Sequence, residues 1–313
     1  MADELGIDVH YISRTNRRGL MGAVLKYPVQ AVDTVRLLLR NRPDVVIVQN
    51  PPSIAPLIVA AYAAIRRARF VVDAHSDAMM SPIWTRPQWL YRYLARRAQA
   101  TIVTNEHFAG IIRGWGGRAL VIQDIPAEFP EGSFEVDGGF NVAVVNTFAA
   151  DEPVEAVLAA ARNLHDVTFL VTGDPTRAPQ RVPATLPPNV RFTGFLPDAS
   201  YYGLLRSSQA VMCLTTRDHT MQRGACEALS LGTPIITSDW PILSDYFSRG
   251  TVYVDNTASG IRDGVLEMRR GLHEYQREIV ELHERQVKQW EGARAALLEV
   301  LVDPHNAGDE TGE

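Results

Sequence analysis

The chain has 313 residues, 46% hydrophobic and 21% charged, which excludes a disordered polymer and an integral membrane protein and suits two domains of about 150 residues each. Its net charge of -5 is uneven, with 16 Lys and Arg against 13 Asp and Glu in residues 1–145 and 15 against 23 in the remainder. No nucleic-acid partner is expected. Its two cysteines, Cys213 and Cys226, fall in a strand-like and a helix-like run, which excludes a disulfide framework and a zinc spacing and makes a reducing cytosol the expected compartment.

The N-terminus, MADELGIDVHYIS, lacks the basic and apolar regions of a signal peptide. Glu4, Leu5 and Gly6 read as the end of a helix capped by Gly6, leading into a strand, DVHYIS. A parallel domain opens with a strand, a turn and that helix, so the first lobe is expected to lack its first strand. Either the start codon is placed too late or the lobe is natively incomplete. Strand runs follow at DVVIVQ, FVVDA, ATIVTN and ALVIQD. The apolar stretch 54–65 has 12 residues and is closed by Arg66 and Arg67, short of the ~20 that a spanning helix needs.

Proline, glycine and acidic residues then cluster in PAEFPEGSFEVDGGF, residues 126–140, where a linker or hinge is expected. Beyond it come NVAVVN, VTFLVTG, NVRFTG, AVMCLTT, TPIITSD and TVYVD. Near-continuous apolar strands alternating with amphipathic helices predict α/β architecture, doubly wound parallel sheets covered on both faces. The expected layout is one lobe over 1–135, a second over 139–275, a helix over 276–302 that packs back toward the first lobe, and a polar tail over 303–313. Arg66, Arg67 and Arg69 with Arg92, Arg96 and Arg97 form a patch for anionic lipid headgroups, or else solvated helix faces.

GWGGRA, residues 114–119, matches a dinucleotide fingerprint in letters but precedes its strand, so it is set aside. P-loop, HExxH and GxSxG patterns are absent, as is a DxD to hold a metal on a sugar nucleotide. In residues 216–239, TRDHTMQRGACEALSLGTPIITSD, Arg223 and Gly224 open a short helix that Gly232 closes. The amides of its first turn, Ala225 included, with the helix dipole and Arg223, suit a phosphate, and Gly224 is read as letting that ligand approach the backbone. Glu227, one turn in, is placed to accept hydrogen bonds from vicinal sugar hydroxyls. The alternative is that it merely offsets the helix dipole, worth about 0.3–1 kcal/mol.

NVRFTGFLPDASYYGLLRSSQAVMCLTT, followed by GACEALSLGTPIITSD, resembles the C-terminal lobe of GT-B glycosyltransferases, particularly glycosyltransferase family 4. The resemblance covers residues 141–255 and implies that Glu227, in an E-A-x-x-x-G-x-P context shared with Ala228, Gly232 and Pro234, grips the ribose of a nucleotide-sugar donor. Gly173 and Gly194 are implied at strand-ending turns that meet phosphate and nucleobase, with Phe195 next. Two departures stand out. The family's second Glu, eight residues before the first, is His219 here, and the Arg and Lys that follow the first strand of this lobe have no counterpart in NTFAADEPV. Arg223, His219 and the amides of Thr147 and Phe148 are expected to hold the phosphates instead.

VQNPPSIAPL, FVVDAHSD and NTFAADEPVEAVLAA are similar to segments of the dolichol-linked chitobiose mannosyltransferase family. The family 4 resemblance implies His75, which follows a strand, at the catalytic centre facing the donor sugar, with a purely structural histidine as the alternative. Asp77 is the first candidate for a general base if the reaction inverts, with loop capping as its alternative. Asn50, with Pro51 and Pro52, shapes the acceptor side or only the turn. The expected protein is a metal-independent, retaining transferase with catalysis in the cleft between its lobes and the sugar nucleotide as substrate rather than cofactor. Its acceptor is lipid-linked or a cell-surface glycan, and its place is the cytoplasm or the inner face of the plasma membrane. Rival readings are a nucleotide-sugar 2-epimerase and a degenerate nucleotide-sugar sensor. Two lysines against 29 arginines hint at a GC-rich bacterial genome.

Overall fold

The computed structural model describes residues 5–12, 20–80, 86–123, 126–136 and 138–302. The chain divides into two compact units, residues 1–123 with 290–313, and residues 124–289.

In the first unit β1 (Val45–Asn50), β2 (Arg69–Ala74), β3 (Ala100–Val103) and β4 (Ala119–Val121) form an all-parallel sheet in that order. Helices α1 (Leu20–Asn41), α2 (Ile54–Arg66), α3 (Ser76–Met80), α4 (Gln88–Arg97) and α5 (Glu106–Gly114) connect or precede the strands. The apolar stretch becomes α2, which buries Val59, Ala60, Tyr62 and Ala63 and ends on left-handed Arg67. Asn105 caps α5 by accepting the Phe108 N–H at 2.9 Å. The glycines of GWGGRA serve the turn after α5: a Cβ on Gly117 would lie 2.6 Å from the Ala95 carbonyl oxygen. No helix of the described residues is long and apolar enough to cross a membrane.

Leu5 is helical and Gly6 follows at φ +63°, matching the expected helix end. The strand expected next does not form over residues 8–12. Alternating residues need a neighbouring strand to pair with, and among the described residues none flanks this run. Side chains of α1 hold it instead, with Gln30 donating to the Ile12 carbonyl at 2.8 Å and Asn41 meeting the His10 ring at 3.3 Å.

The second unit carries β5 (Phe140–Val144), β6 (Val167–Thr172), β7 (Val190–Gly194), β8 (Ala210–Cys213), β9 (Ile235–Ser238) and β10 (Thr251–Val254), all parallel, in the order β10-β9-β8-β5-β6-β7. Val142, Val144, Phe169 and Val171 face one layer with α6 (Val154–Ala161) and α10 (Ala258–Arg270). Ala143, Leu170, Val211 and Cys213 face the other with α7 (Asp198–Ser207), α8 (Arg223–Ser230) and α9 (Pro241–Tyr246). Both faces are covered, which is why these strands read as unbroken apolar runs. Helix α11 (Leu272–Val302) is 31 residues long, and its residues from Trp290 onward group with the first unit.

The segment expected as a linker has no regular structure over 126–136 but is strapped along α7. Arg206 donates to the carbonyls of Phe129 and Pro130 at 2.9 and 2.8 Å, and the Phe129 ring stacks on Tyr202 with centroids 4.3 Å apart. Gly203 admits the strap, since a Cβ there would meet the Ser133 backbone at 2.6 Å.

Candidate active site

The sheet of the second unit reverses its winding at β5, with β6 and β7 on one side and β8 to β10 on the other. Crossovers leaving in opposite directions open a crevice at the carboxyl ends of the strands between them, here β5 and β8. Every donor-side residue expected from sequence lies at this end of the sheet. Thr147 follows β5, Gly173 follows β6, Gly194 ends β7 before Phe195, and His219, Arg223, Gly224, Ala225 and Glu227 lie between β8 and β9. Gly173 donates its N–H to the Gly194 carbonyl at 3.0 Å, tying those two turns together. Phe195 is 90% exposed, an aromatic face offered to solvent beside them.

Glu227 is only 7% exposed. Its Oε2 accepts the Tyr201 hydroxyl at 2.7 Å and its Oε1 accepts Arg223 Nε at 3.0 Å. A buried carboxylate without such partners would cost several kcal/mol, so the two donors offset that cost and fix where the carboxylate points. Each oxygen retains a lone pair for a ligand. Burial, and then the charge of Glu227, push the Tyr201 hydroxyl well above its ordinary value, so it remains a donor at working pH. The same two causes raise the Cys213 thiol, which stays an inert core group. The Arg223 side chain is 79% exposed and extends its charge into solvent at the start of α8. No side chain of the N-cap residue Gln222 closes that helix end.

Two expectations change here. Gly224 was read as making room for a ligand, but it is buried, and a Cβ on it would lie 2.7 Å from Val145 Cγ1 and 2.8 Å from Cys213 Sγ. The glycine lets α8 rest on the sheet. The amides of Thr147 and Phe148, expected to hold phosphate, are already engaged. Glu152 accepts from the Thr147 amide and hydroxyl at 2.8 and 3.0 Å and from the Ala149 amide at 2.9 Å, while Asn146 Oδ1 takes the Phe148 amide at 2.7 Å. A carboxylate of the chain sits where an anion was expected. Ala225 is fully buried and offers the site only backbone. His219 occupies a left-handed turn at φ +56° with its amide on Asp218 at 2.6 Å.

Arg181 braces the same loop, donating to the Ala149 carbonyl at 2.6 Å, to the Glu152 carbonyl, and to Glu155 Oε1 at 2.6 Å. Its guanidinium holds the Glu155 carboxyl below the ordinary range. The stability this pair adds is therefore present above the unfolded-state pKa of Glu155 and is lost as pH falls through the lowered folded value. With Glu155 54% exposed, the loss is expected to stay under about 1 kcal/mol. In acid denaturation the stability gap between the parent and Arg181→Ala chains should narrow as pH falls through that window, leaving below it the part due to the lost bonds to the Ala149 and Glu152 carbonyls.

In the first unit, His75 follows β2 and donates its N–H to the Asn50 carbonyl at 2.9 Å. Its ring Nε2 lies 3.0 Å from Gln49 Nε2 and 3.5 Å from Asp73 Oδ2, so it accepts from the amide or donates to the carboxylate according to tautomer. The ring side chain is 53% exposed. Asn50 is buried, accepts Ser53 Oγ at 3.4 Å and precedes two cis peptides, at Pro51 and Pro52. Ser53 also meets the Tyr91 hydroxyl, which burial pushes up from its ordinary value. The side chain of Asp77 lies outside the described residues.

Two family models cover most of the sequence, a glycosyl transferase 4-like domain over residues 1–127 and a glycosyl transferases group 1 domain over residues 140–269. The chain belongs to the family 4-like, group 1 glycosyltransferases. The UDP-glycosyltransferase TURAN of Arabidopsis thaliana is 34% identical over 98 residues, 28% of this chain, and the match spans only 21% of that protein's length. Among solved structures, sucrose-phosphate synthase from Thermosynechococcus elongatus is similar with a TM-score of 0.65 at 15% identity, over 87% of this chain and 76% of its own. HepE of Anabaena, solved with UDP and glucose, gives 0.66 at 15% identity over 92% and 85%. Such identities speak for the fold, and both units have the parallel α/β form of GT-B glycosyltransferases.

Sequence reasoning about this glycosyltransferase missed Tyr201, Glu152, Gln49 and Asp73. Tyr201 lies 26 positions before Glu227 on a different helix, and nothing in DASYYGLL tells which tyrosine turns toward α8. Glu152 carried a signal, since an acid just before Pro153 and a helix is placed to collect loop amides.

Proposed function

We propose that this glycosyltransferase moves a sugar from a UDP-type nucleotide sugar to a glycan or lipid-linked acceptor, without a metal and with retention. The observation that carries the reading is the buried Glu227 carboxylate, aimed by Tyr201 and Arg223 beside an uncapped helix start at the switch point of a parallel sheet. Glu227 takes the ribose hydroxyls, the amides at the start of α8 with Arg223 take the diphosphate, and Phe195 offers its ring to the base. Charge developing on the leaving diphosphate meets donors already in place. Support for a UDP donor comes from the UDP bound in HepE and the name of TURAN. On α4, exposed Trp89 and Tyr93 lie among Arg92 and Arg97, with Arg97 over the Tyr93 ring at 5.8 Å, a composition suited to a headgroup layer. Arg69 is half-buried at the start of β2 and drops out of that patch.

Purified chain incubated with a nucleotide-sugar panel, with and without glycan and polyprenyl-phosphate acceptors, tests the proposal. Turnover must require an acceptor, and the anomer of the product, read by NMR, decides between retention and inversion. Conversion of donor alone would mark an epimerase. The capture of the Thr147 and Ala149 amides by Glu152 favours one alternative, a nucleotide-sugar sensor, which would bind UDP-sugar tightly and turn over none. His75→Ala should lower kcat at least about a hundredfold, within the range of a lost proton-transfer or charge-stabilising group, while leaving UDP affinity unchanged. A matching loss in both would move His75 into binding. Tyr201→Phe keeps the ring but withdraws one charge-assisted hydrogen bond from Glu227. UDP affinity should fall about tenfold, and the melting midpoint by a few degrees because a buried carboxylate loses one of its two donors; calorimetry showing parental affinity in the folded variant would remove the hydroxyl from the site.

A further inference from the structure

Thr215 is fully buried just past the carboxyl end of β8, and each of its polar groups is bonded. Its N–H donates to Ser238 Oγ at 2.9 Å, its carbonyl accepts Trp240 Nε1 at 2.9 Å and Asn256 Nδ2 at 3.0 Å, and its hydroxyl donates to Asp151 Oδ2 at 2.9 Å. That hydroxyl also accepts the Arg217 N–H at 3.1 Å. Asp151, in the loop after β5, accepts the Thr216 N–H on its carbonyl at 2.7 Å, and its carboxylate lies 3.7 Å from Arg217 Nε. The backbone leading into Arg217 is thus fixed from the ends of β5, β9 and β10, while the Arg217 side chain is 52% exposed.

We propose that Arg217 is a second cation for the donor diphosphate, meeting it from the β5 side of the crevice while Arg223 and the start of α8 meet it from the other. The inference rests on the donor reading above and names a further residue of that same site. The contact with Asp151 places the guanidinium where the loops after β5 and β8 come together, at the crevice between those strands. This end of the sheet also carries the carboxylates of Asp151, Glu152 and Glu227, which repel a diphosphate, and Glu152 occupies the Thr147 and Ala149 amides. A counter-charge on that side is therefore needed. Of the arginines bonded to these loops, Arg181 is committed to the carbonyls of Ala149 and Glu152 and to Glu155, which leaves Arg217. Its planar fork matches two phosphate oxygens at once. A long side chain loses less freedom on binding when its backbone is already fixed, and the saturated Thr215 fixes it.

The test titrates the full chain and its Arg217→Gln variant with UDP by calorimetry, and with uridine and inorganic pyrophosphate by ligand-observed NMR. Arg217→Gln should weaken UDP by about thirtyfold, the size of a lost charge-assisted contact, weaken pyrophosphate by a similar factor and leave uridine unchanged. Arg269 is the control, since it pairs with Asp166 just before β6, at the amino end of the sheet. Arg269→Gln should hold UDP as the parent does. Parental UDP affinity in Arg217→Gln, an equal loss for uridine, or an equal loss of UDP in Arg269→Gln overturns the proposal. A parent chain that binds no UDP overturns the donor reading and this inference with it, so the parent titration tells the two failures apart.

Discussion

Glu227→Ala is expected to weaken UDP binding by about a hundredfold. Two hydrogen bonds from ribose hydroxyls to a buried carboxylate are together worth roughly 3 kcal/mol once solvent exchange is counted, and that figure sets the size. The folded protein also loses something, because the Tyr201 hydroxyl keeps its burial and loses its acceptor. An orphaned buried donor costs about 1–3 kcal/mol, and in a unit of this size each kcal/mol lowers the melting midpoint by about 2–4 °C. Glu227→Gln separates the effects. Its amide oxygen still accepts from Tyr201, so most stability should return, while the lost charge leaves UDP binding weak. Calorimetry that finds parental UDP affinity in folded Glu227→Ala would end the assignment of this residue to the donor.

Gly173→Ala should be the most damaging single methyl in the site. The glycine sits at φ +86°, and a Cβ there would lie 2.1 Å from the Asn146 carbonyl oxygen, a backbone atom that has no rotamer to retreat into. The left-handed conformation costs about 1–2 kcal/mol and the overpacking about 1–3 more, giving roughly 2–5 kcal/mol in urea unfolding. Gly194 is its internal control. It has φ +71° but nothing within 4 Å of the added carbon, so Gly194→Ala should cost only the conformational part, about 1–2 kcal/mol. If the two variants lose equal stability, the close approach of β6 to the loop after β5 does not carry the cost.

Much of the fold could be read from residue order because the sheets are covered on both faces. Runs such as VVIVQN, FNVAV and VTFLVT need no alternation to be strands when each side meets helices. The local geometry of the candidate donor site was legible for a related reason: a helix start, its glycine closure and a carboxylate one turn in are all local to residues 223–232. What failed was long-range. DVHYIS has strand composition but no described neighbour to pair with, and Gly224 carries no mark that says whether its missing Cβ makes room for a ligand or for Val145 and Cys213.

Residue order alone determined the parallel α/β class, the family to which the chain belongs, and the position of Glu227 near the start of a short helix, because periodicity, caps and contiguous motifs are properties of neighbours in the chain. Only the tertiary structure decided that Tyr201 and Arg223 aim that carboxylate and that Glu152 fills the amides of the loop after β5. Both depend on which segments the packing brings side by side, and a backbone amide or a buried carboxylate does not show in its own sequence which partner will reach it.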